Sequence, residues 1–247
     1  MHDSSITRRR YRTVFLSDLH LGTRGCRSDF VADFLRRVEC ERLYLVGDII
    51  DGWRLRKSWY WDAGHDEVFR TWLGMEFAGV HLRREAVHVA ADGRRFLIIH
   101  GDEFDGVIRY AKFLALLGDW AYDLALRVNR WFNLARRRLG YPYWSLSQWL
   151  KRQVKEAVKA IDRFETALAN EAKRRGLDGV VCGHIHHAEM RTVQGVLYMN
   201  DGDWVESCTA LVEHADGRFE LIDWAQENRL SFLRDGAPRP VAVSAAS

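Results

Sequence analysis

Short apolar runs alternate with amphipathic stretches along most of the chain. Thr13-Val14-Phe15-Leu16 reads as a buried strand. Ser28 and Asp29 then open a helix, with Ser28 as its N-cap and Phe30, Val31, Phe34, Leu35 and Val38 at helical spacing. Leu43-Tyr44-Leu45-Val46 is the second strand, so the opening unit is strand, helix, strand. Val68, Phe69, Trp72 and Leu73 repeat the helical spacing. From Val80 the period changes to two. Val87-His88-Val89 and Phe96-Leu97-Ile98-Ile99 flank Ala90-Ala91-Asp92-Gly93, and Asp-Gly is a strong hairpin signal. Residues 106–175 are helical in character, divided by Gly140-Tyr141-Pro142-Tyr143. The rest is β: Val180–Cys182, Met190–Val193, Val196–Met199, and a last hairpin of Ala210–Glu213 with Phe219–Ile222. Ala-Asp-Gly-Arg occurs at 91–94 and again at 215–218, which is turn chemistry reused rather than a domain repeat. The small, polar tail after Trp224 reads as loose.

The ends of the strands change the picture. Four apolar runs stop at residues able to hold a metal: Asp18 and His20, Asp48, His100, and the turn Gly183-His184-Ile185-His186. Any one alone is an ordinary cap or turn residue, and a lone His-x-His is more often a solvated loop. Open α/β sheets place their sites at the C-terminal ends of strands, and four such ends together predict convergence. In an extended segment residues i and i+2 point the same way, so one turn would aim both rings of His184 and His186 at one spot. Carboxylates mixed with imidazoles suit manganese, iron or zinc better than calcium or magnesium.

Composition adds bounds. The 247 residues suffice for one large α/β domain, here read as 1–247 with 106–175 as a helical insertion. A formal charge of +3 gives no global signal for nucleic acid. The charge is uneven: residues 106–165 carry 12 Lys/Arg against 5 Asp/Glu. Such a block is usually a solvated helix face, and a basic helical surface also suits anionic lipid or phosphate. Cys26, Cys40, Cys182 and Cys208 form no C-x-x-C pair, which fits a reducing compartment. Thr13–Leu16 after Arg8-Arg9-Arg10 is too short for a signal-peptide core, and Asp119 and Asp123 interrupt the most apolar stretch. The expectation is a cytoplasmic protein, able to sit on the inner membrane but not to cross it.

Asp18-x-His20, Gly47-Asp48, His100 and Gly183-His184-x-His186 together resemble the signature of calcineurin-like metallophosphoesterases, in order and spacing as well as residue type. The resemblance runs from about Tyr11 to Trp224. It implies an αββα sandwich with two divalent metal ions, manganese first and iron or zinc as alternatives. The implied first site is Asp18, His20, Asp48 and His186; the second is Asp48, His100 and His184, with Asp48 shared. Within the family, Gly47–Trp53, His100–Asp105 and Asn200–Glu206 look like the branch of UDP-2,3-diacylglucosamine pyrophosphatases, which act in lipid A synthesis. That branch implies a nucleotide-lipid substrate and an acyl-binding helical insertion. Here the stripe Leu114, Leu117, Trp120, Ala121, Leu124 and Val128, flanked by Lys112, Arg127, Arg130 and Arg136–Arg138, occupies that place. It would also serve as a peripheral membrane contact; packing on the core is the ordinary alternative.

The chain departs from the family in one place. Where the family carries Gly-Asn-His-Asp at a strand end, this chain has Gly64-His65-Asp66 and no Asn. The resemblance makes His65 the residue acting on the phosphate or the leaving group. Only 16 residues separate Asp48 from His65, too few for the family's helix and strand. An internal deletion of one α/β unit accounts for this; an unrelated turn at 63–66 is the alternative. A deletion implies a weakened second metal site and lowered activity, or a remnant that only binds ligand.

Overall fold

The computed structural model describes residues 8–52, 56, 60–73, 81–107 and 146–228. In chain order the elements are β1 (Arg9–Leu16), α1 (Ser28–Arg37), β2 (Val38–Leu45), α2 (Ala63–Leu73), β3 (Glu85–Val89) and β4 (Arg95–Ile99). A 3₁₀ turn at Asp102–Val107 follows, then α3 (Leu146–Arg174), β5 (Gly179–Cys182), β6 (Glu189–Val193), β7 (Val196–Asn200), β8 (Thr209–Glu213) and β9 (Phe219–Asp223). The strands form two sheets, ordered β2-β1-β8-β9 and β3-β4-β5-β7-β6. This is the mixed α/β, two-sheet arrangement expected from the sequence. The stripe at 114–128 and its basic neighbours lie outside the described residues.

The chain divides into two compact units. One is Met1–His100 with Val181–Met190 and Met199–Ser247; the other is Gly101–Val180 with Arg191–Tyr198. Every candidate metal ligand belongs to the first.

Within the first unit, alternation along β1 decides what each face meets. Val14 and Leu16 point into a core with Val31, Phe34 and Leu35 of α1, Val68 of α2, and Trp204 and Trp224. Thr13 and Phe15 face the other way. The Phe15 ring stacks on Tyr44 at 5.1 Å and meets His88 edge-on at 5.4 Å. On this face the fully buried Glu213 binds the first sheet to the β3–β4 hairpin. It accepts hydrogen bonds from Arg12 (2.7 Å), Thr13 (2.7 Å), the Ala91 amide (2.7 Å) and His88 Nε2 (2.8 Å). Burial alone would raise this carboxyl; its donors outweigh burial and hold it below the usual range. A carboxylate with four donors is a buried charge that is fully compensated.

The two Ala-Asp-Gly-Arg turns are built alike. Asp92 accepts from the Arg94 amide and Asp216 from the Arg218 amide, each at 3.0 Å. Gly93 and Gly217 take the left-handed backbone at φ +89° and +84°, which costs glycine nothing.

Two local expectations change. Helix α1 starts at Ser28, so Arg27 is the N-cap, and no side chain caps it. Strands β1 and β2 run further toward the N-terminus than their apolar runs, because ladder pairing from Arg9↔Val38 to Leu16↔Leu45 extends into exposed charged residues. The described residues between Leu45 and Glu85 contain no strand beyond the bridge Leu21↔Ile50. Strand β2 accordingly lies at the edge of its sheet, and its Leu45 is 41% exposed although it lies within an apolar run. A parallel strand normally has neighbours covering it.

In the second unit, Ala160, Phe164, Leu168 and Ala172 recur every fourth residue on α3 and are buried. The buried Glu165 pairs with Arg191. Among the described residues, no helix is long and apolar enough to cross a membrane.

Candidate metal centre

Parallel pairing of β1 with β2 brings Asp18 and Asp48 to the same edge. The ladder continues past both strands: the Val46 amide donates to Leu16 O (2.7 Å), Asp18 N to Gly47 O (3.1 Å) and His20 N to Asp48 O (2.9 Å). On the other side, Gly183 N donates to His100 O (3.3 Å), which ties the His-x-His turn to the end of β4.

The side chains gather into two groups with ligand atoms near enough to share a cation: Asp18, His20 and His186, and Asp18, Asp48 and His100. His186 Nε2 lies 3.1 Å from Asp18 Oδ1 and 3.4 Å from His20 Nε2. Asp48 Oδ2 lies 3.7 Å from His20 Nε2 and 3.7 Å from His100 Nε2, between the two groups. Asp18 is the member common to both.

Backbone strain marks the same residues. Among the described residues, seven other than glycine have positive φ, and five are Asp18 (+49°), His20 (+49°), Asp48 (+47°), His184 (+74°) and His186 (+53°). L-residues rarely enter this region, at a cost of about 1–3 kcal/mol each, and such strain concentrates at functional sites. It also corrects the reading of the His-x-His turn. Left-handed backbone, not extended chain, carries both histidines, so the i, i+2 rule does not apply. Only His186 turns to Asp18. The His184 ring packs edge-on against His100 at 5.1 Å, and its amide donates to Asp18 Oδ2 at 2.7 Å. His184 belongs to neither cluster.

The donor set fits a divalent cation. Asp18 Oδ1 is buried without a hydrogen-bond donor, and the atoms facing it are imidazole nitrogens. Burial would push the Asp18 carboxyl up; the nearby His186, His20 and His100 rings prevail and hold it well below the usual range. The Asp48 carboxyl is also lowered, chiefly by His100. For His20, burial pulls the ring down, but Asp18, Asp48 and Asp51 raise it. A buried anion facing lone pairs needs protons or a metal between them, and imidazole with carboxylate suits zinc, manganese or iron. The outward nitrogens are oriented. His100 Nδ1 lies 2.9 Å from Val46 O, and His20 Nδ1 lies 3.7 Å from Asp51 Oδ2. Donation from His100 Nδ1 to Val46 O fixes the tautomer that leaves its Nε2 as the ligand.

His65 has a different occupation from the expected one. It stands in the first turn of α2, fully buried. Its Nδ1 lies 2.6 Å from Asp62 Oδ1, which also accepts the amides of Gly64 (3.0 Å) and His65 (3.1 Å). Asp62 is thus the helix N-cap, and His65 reinforces it between the rings of Tyr60 and Trp61. Gly64-His65-Asp66 is a helix start rather than a strand end, and His65 joins neither cluster. His65→Ala should lower stability by about 1–3 kcal/mol through a lost cap bond and a cavity, with manganese affinity unchanged. Urea unfolding beside calorimetric titration checks this; reduced turnover at undiminished stability would return His65 to the reaction.

Sequence reasoning quoted Asp51 and Asp201 within longer motifs without assigning either a role, and assigned none to Ser17. The signal for Ser17 and Asp201 is position, each being a polar residue just beyond a strand's C-terminal end, whereas Asp51 follows the Leu21↔Ile50 bridge. Ser17 Oγ lies 2.7 Å from Asp18 Oδ2 and 2.6 Å from Asp201 Oδ1. Asp201 is wholly buried, and burial pushes its carboxyl up to about 8 against the opposing Ser17 bond.

No protein-family model and no curated relative matches the chain. Among solved structures, a Thermotoga maritima protein is 17% identical with a TM-score of 0.38, the match covering 86% of this chain and 99% of that one. An archaeal phosphodiesterase is 11% identical with a TM-score of 0.37, covering 85% and 98%. Vps29 from Entamoeba histolytica, solved with zinc, is 13% identical with a TM-score of 0.38, covering 86% and 98%. Scores at this level carry no argument about activity.

Proposed function

We propose that the chain is a metal-dependent phosphoesterase cleaving a phosphodiester or pyrophosphate. The observation that carries this reading is the pair of cation-holding clusters joined through the Asp18 carboxylate. Asp18, His20 and His186 would hold one ion; Asp48 and His100, with Asp18, would hold the other. Two divalent ions so held supply charge neutralisation at phosphorus and an activated water for in-line displacement. The protein's own part is orientation. Val46 O aims the His100 ring, and the ladder between the 18–21 and 47–51 turns keeps the two carboxylates together.

The motif resemblance narrows the substrate to a nucleotide-lipid pyrophosphate such as UDP-2,3-diacylglucosamine. A different phosphoester on the same site is the alternative. The test offers UDP-2,3-diacylglucosamine and bis-p-nitrophenyl phosphate in parallel with manganese, and again with EDTA. UMP release abolished by EDTA supports the full reading; nitrophenol release alone supports the alternative substrate. No hydrolysis of either with manganese, iron or zinc would sink the enzymatic reading. One observation favours a weaker enzyme: the Gly64-His65-Asp66 stretch offers no Asn, and His65 caps a helix instead. One cation would then bind tightly, at His186.

A further inference from the structure

We propose that Asp201, acting through Ser17, is a positioning residue for the Asp18 carboxylate. The inference rests on the reading of Asp18 as a metal ligand.

Asp18 has two oxygens with different surroundings. Oδ1 faces His186 and His20. Oδ2 takes the His184 amide at 2.7 Å and lies 2.7 Å from Ser17 Oγ. Two partners on Oδ2 fix the plane of the carboxylate and leave Oδ1 for a cation. A serine hydroxyl rotates freely, however, and Ser17 Oγ also lies 3.2 Å from Gly202 O. What holds it in place is Asp201 Oδ1, at 2.6 Å. Ser17 and Asp201 are each 1% exposed, so water does not compete for either contact.

Asp201 is itself pinned to the strand that carries the histidine turn. Its amide donates to Cys182 O at 3.1 Å, and its carbonyl accepts from Thr209 Oγ1 at 2.9 Å. Its neighbour Asn200 donates from Nδ2 to Gly183 O at 2.8 Å and accepts the Gly202 amide at 2.9 Å. The end of β7 therefore grips the 183–186 turn by its backbone and the 17–20 turn through Ser17. Asp18 and His186 arrive on different strands, and this residue pair keeps them in register. Hydrogen bonds behind a ligating carboxylate are worth about 10–100-fold in metal affinity.

The test is manganese titration by calorimetry on the full chain, with thermal unfolding of each metal-free variant alongside. Ser17→Ala and Asp201→Ala should each weaken binding by about 10–100-fold, with metal-free unfolding close to wild type. Asp201→Asn keeps the reach and a hydrogen bond to Ser17 and should restore affinity to within about threefold. The double variant Ser17→Ala/Asp201→Ala should lose no more than Ser17→Ala alone, because both act along one chain of contacts. Should Asp201→Ala not fold, Ser17→Ala against Asp201→Asn makes the same comparison. Wild-type affinity in Ser17→Ala, or additive losses in the double variant, overturns the inference while leaving the metal reading intact. A wild-type chain that takes up no manganese defeats the metal reading and this inference with it.

Discussion

Asp18→Asn is expected to abolish cation binding at both clusters while the chain stays folded. The substitution keeps shape and volume at a position that is completely buried. Its two oxygens are not equivalent. Oδ2 accepts the His184 amide, so the carbonyl of the new amide must lie there. The NH₂ then takes the place of Oδ1, facing His186 at the 3.1 Å contact. An amide nitrogen has no lone pair to offer, and its hydrogens point where the cation should sit. Because Asp18 belongs to both groups, both ions are lost, and with them hydrolysis. Manganese titration and phosphodiester turnover read the loss, and far-UV circular dichroism reads the fold. By contrast, His186→Ala should empty one site and leave the Asp48–His100 side able to bind weakly. Full-strength manganese binding by Asp18→Asn would refute the site.

The second large effect is expected at Gly183. A Cβ there would lie 2.2 Å from Ser17 Oγ, 2.6 Å from Ser17 Cβ and 2.5 Å from Asp18 Oδ2. Left-handed backbone is not the reason glycine is needed here; space is. The turn that presents His184 and His186 passes directly over the turn that presents Asp18. Gly183→Ala must push the two apart, at a cost of about 1–3 kcal/mol in stability and a much larger loss in metal affinity, since the ligands sit on opposite sides of the gap. A urea midpoint with a manganese titration checks both. Wild-type values for each would mean that the turns are less closely opposed than described. At Gly47 both reasons apply: its φ is +103°, and a Cβ would lie 2.4 Å from His100 Cγ.

Much of this was legible in the chain. Apolar runs located the strands because a buried strand needs apolar side chains whatever it packs against. Asp-Gly located both hairpins because the turn needs a residue at positive φ. Asp18, His20, Asp48, His100, His184 and His186 stood out because metal-capable residues at successive strand ends are meaningful before any contact is known. Ser28 misled because a serine before a helical pattern satisfies the capping rule locally, while chain pairing and burial place the helix start one residue differently. His65 misled because a motif match ignores the backbone: the same three residues suit a strand end or a helix start, and Asp62 at the N-cap decides for the helix.

Residue identity alone states which side-chain types stand at which strand ends, and with them the donor set on offer. How those donors are grouped follows from the folded arrangement. It made Asp18 the common member, parted His184 from His186, and recruited Ser17 and Asp201 behind the site. The physical reason is that ligand geometry depends on backbone angles and on contacts between residues far apart in the chain, such as Ser17 and Asp201, 184 positions apart. Local patterns report periodicity and turn chemistry. They carry no information on which oxygen of a carboxylate is occupied, and that occupancy is what sets a metal site.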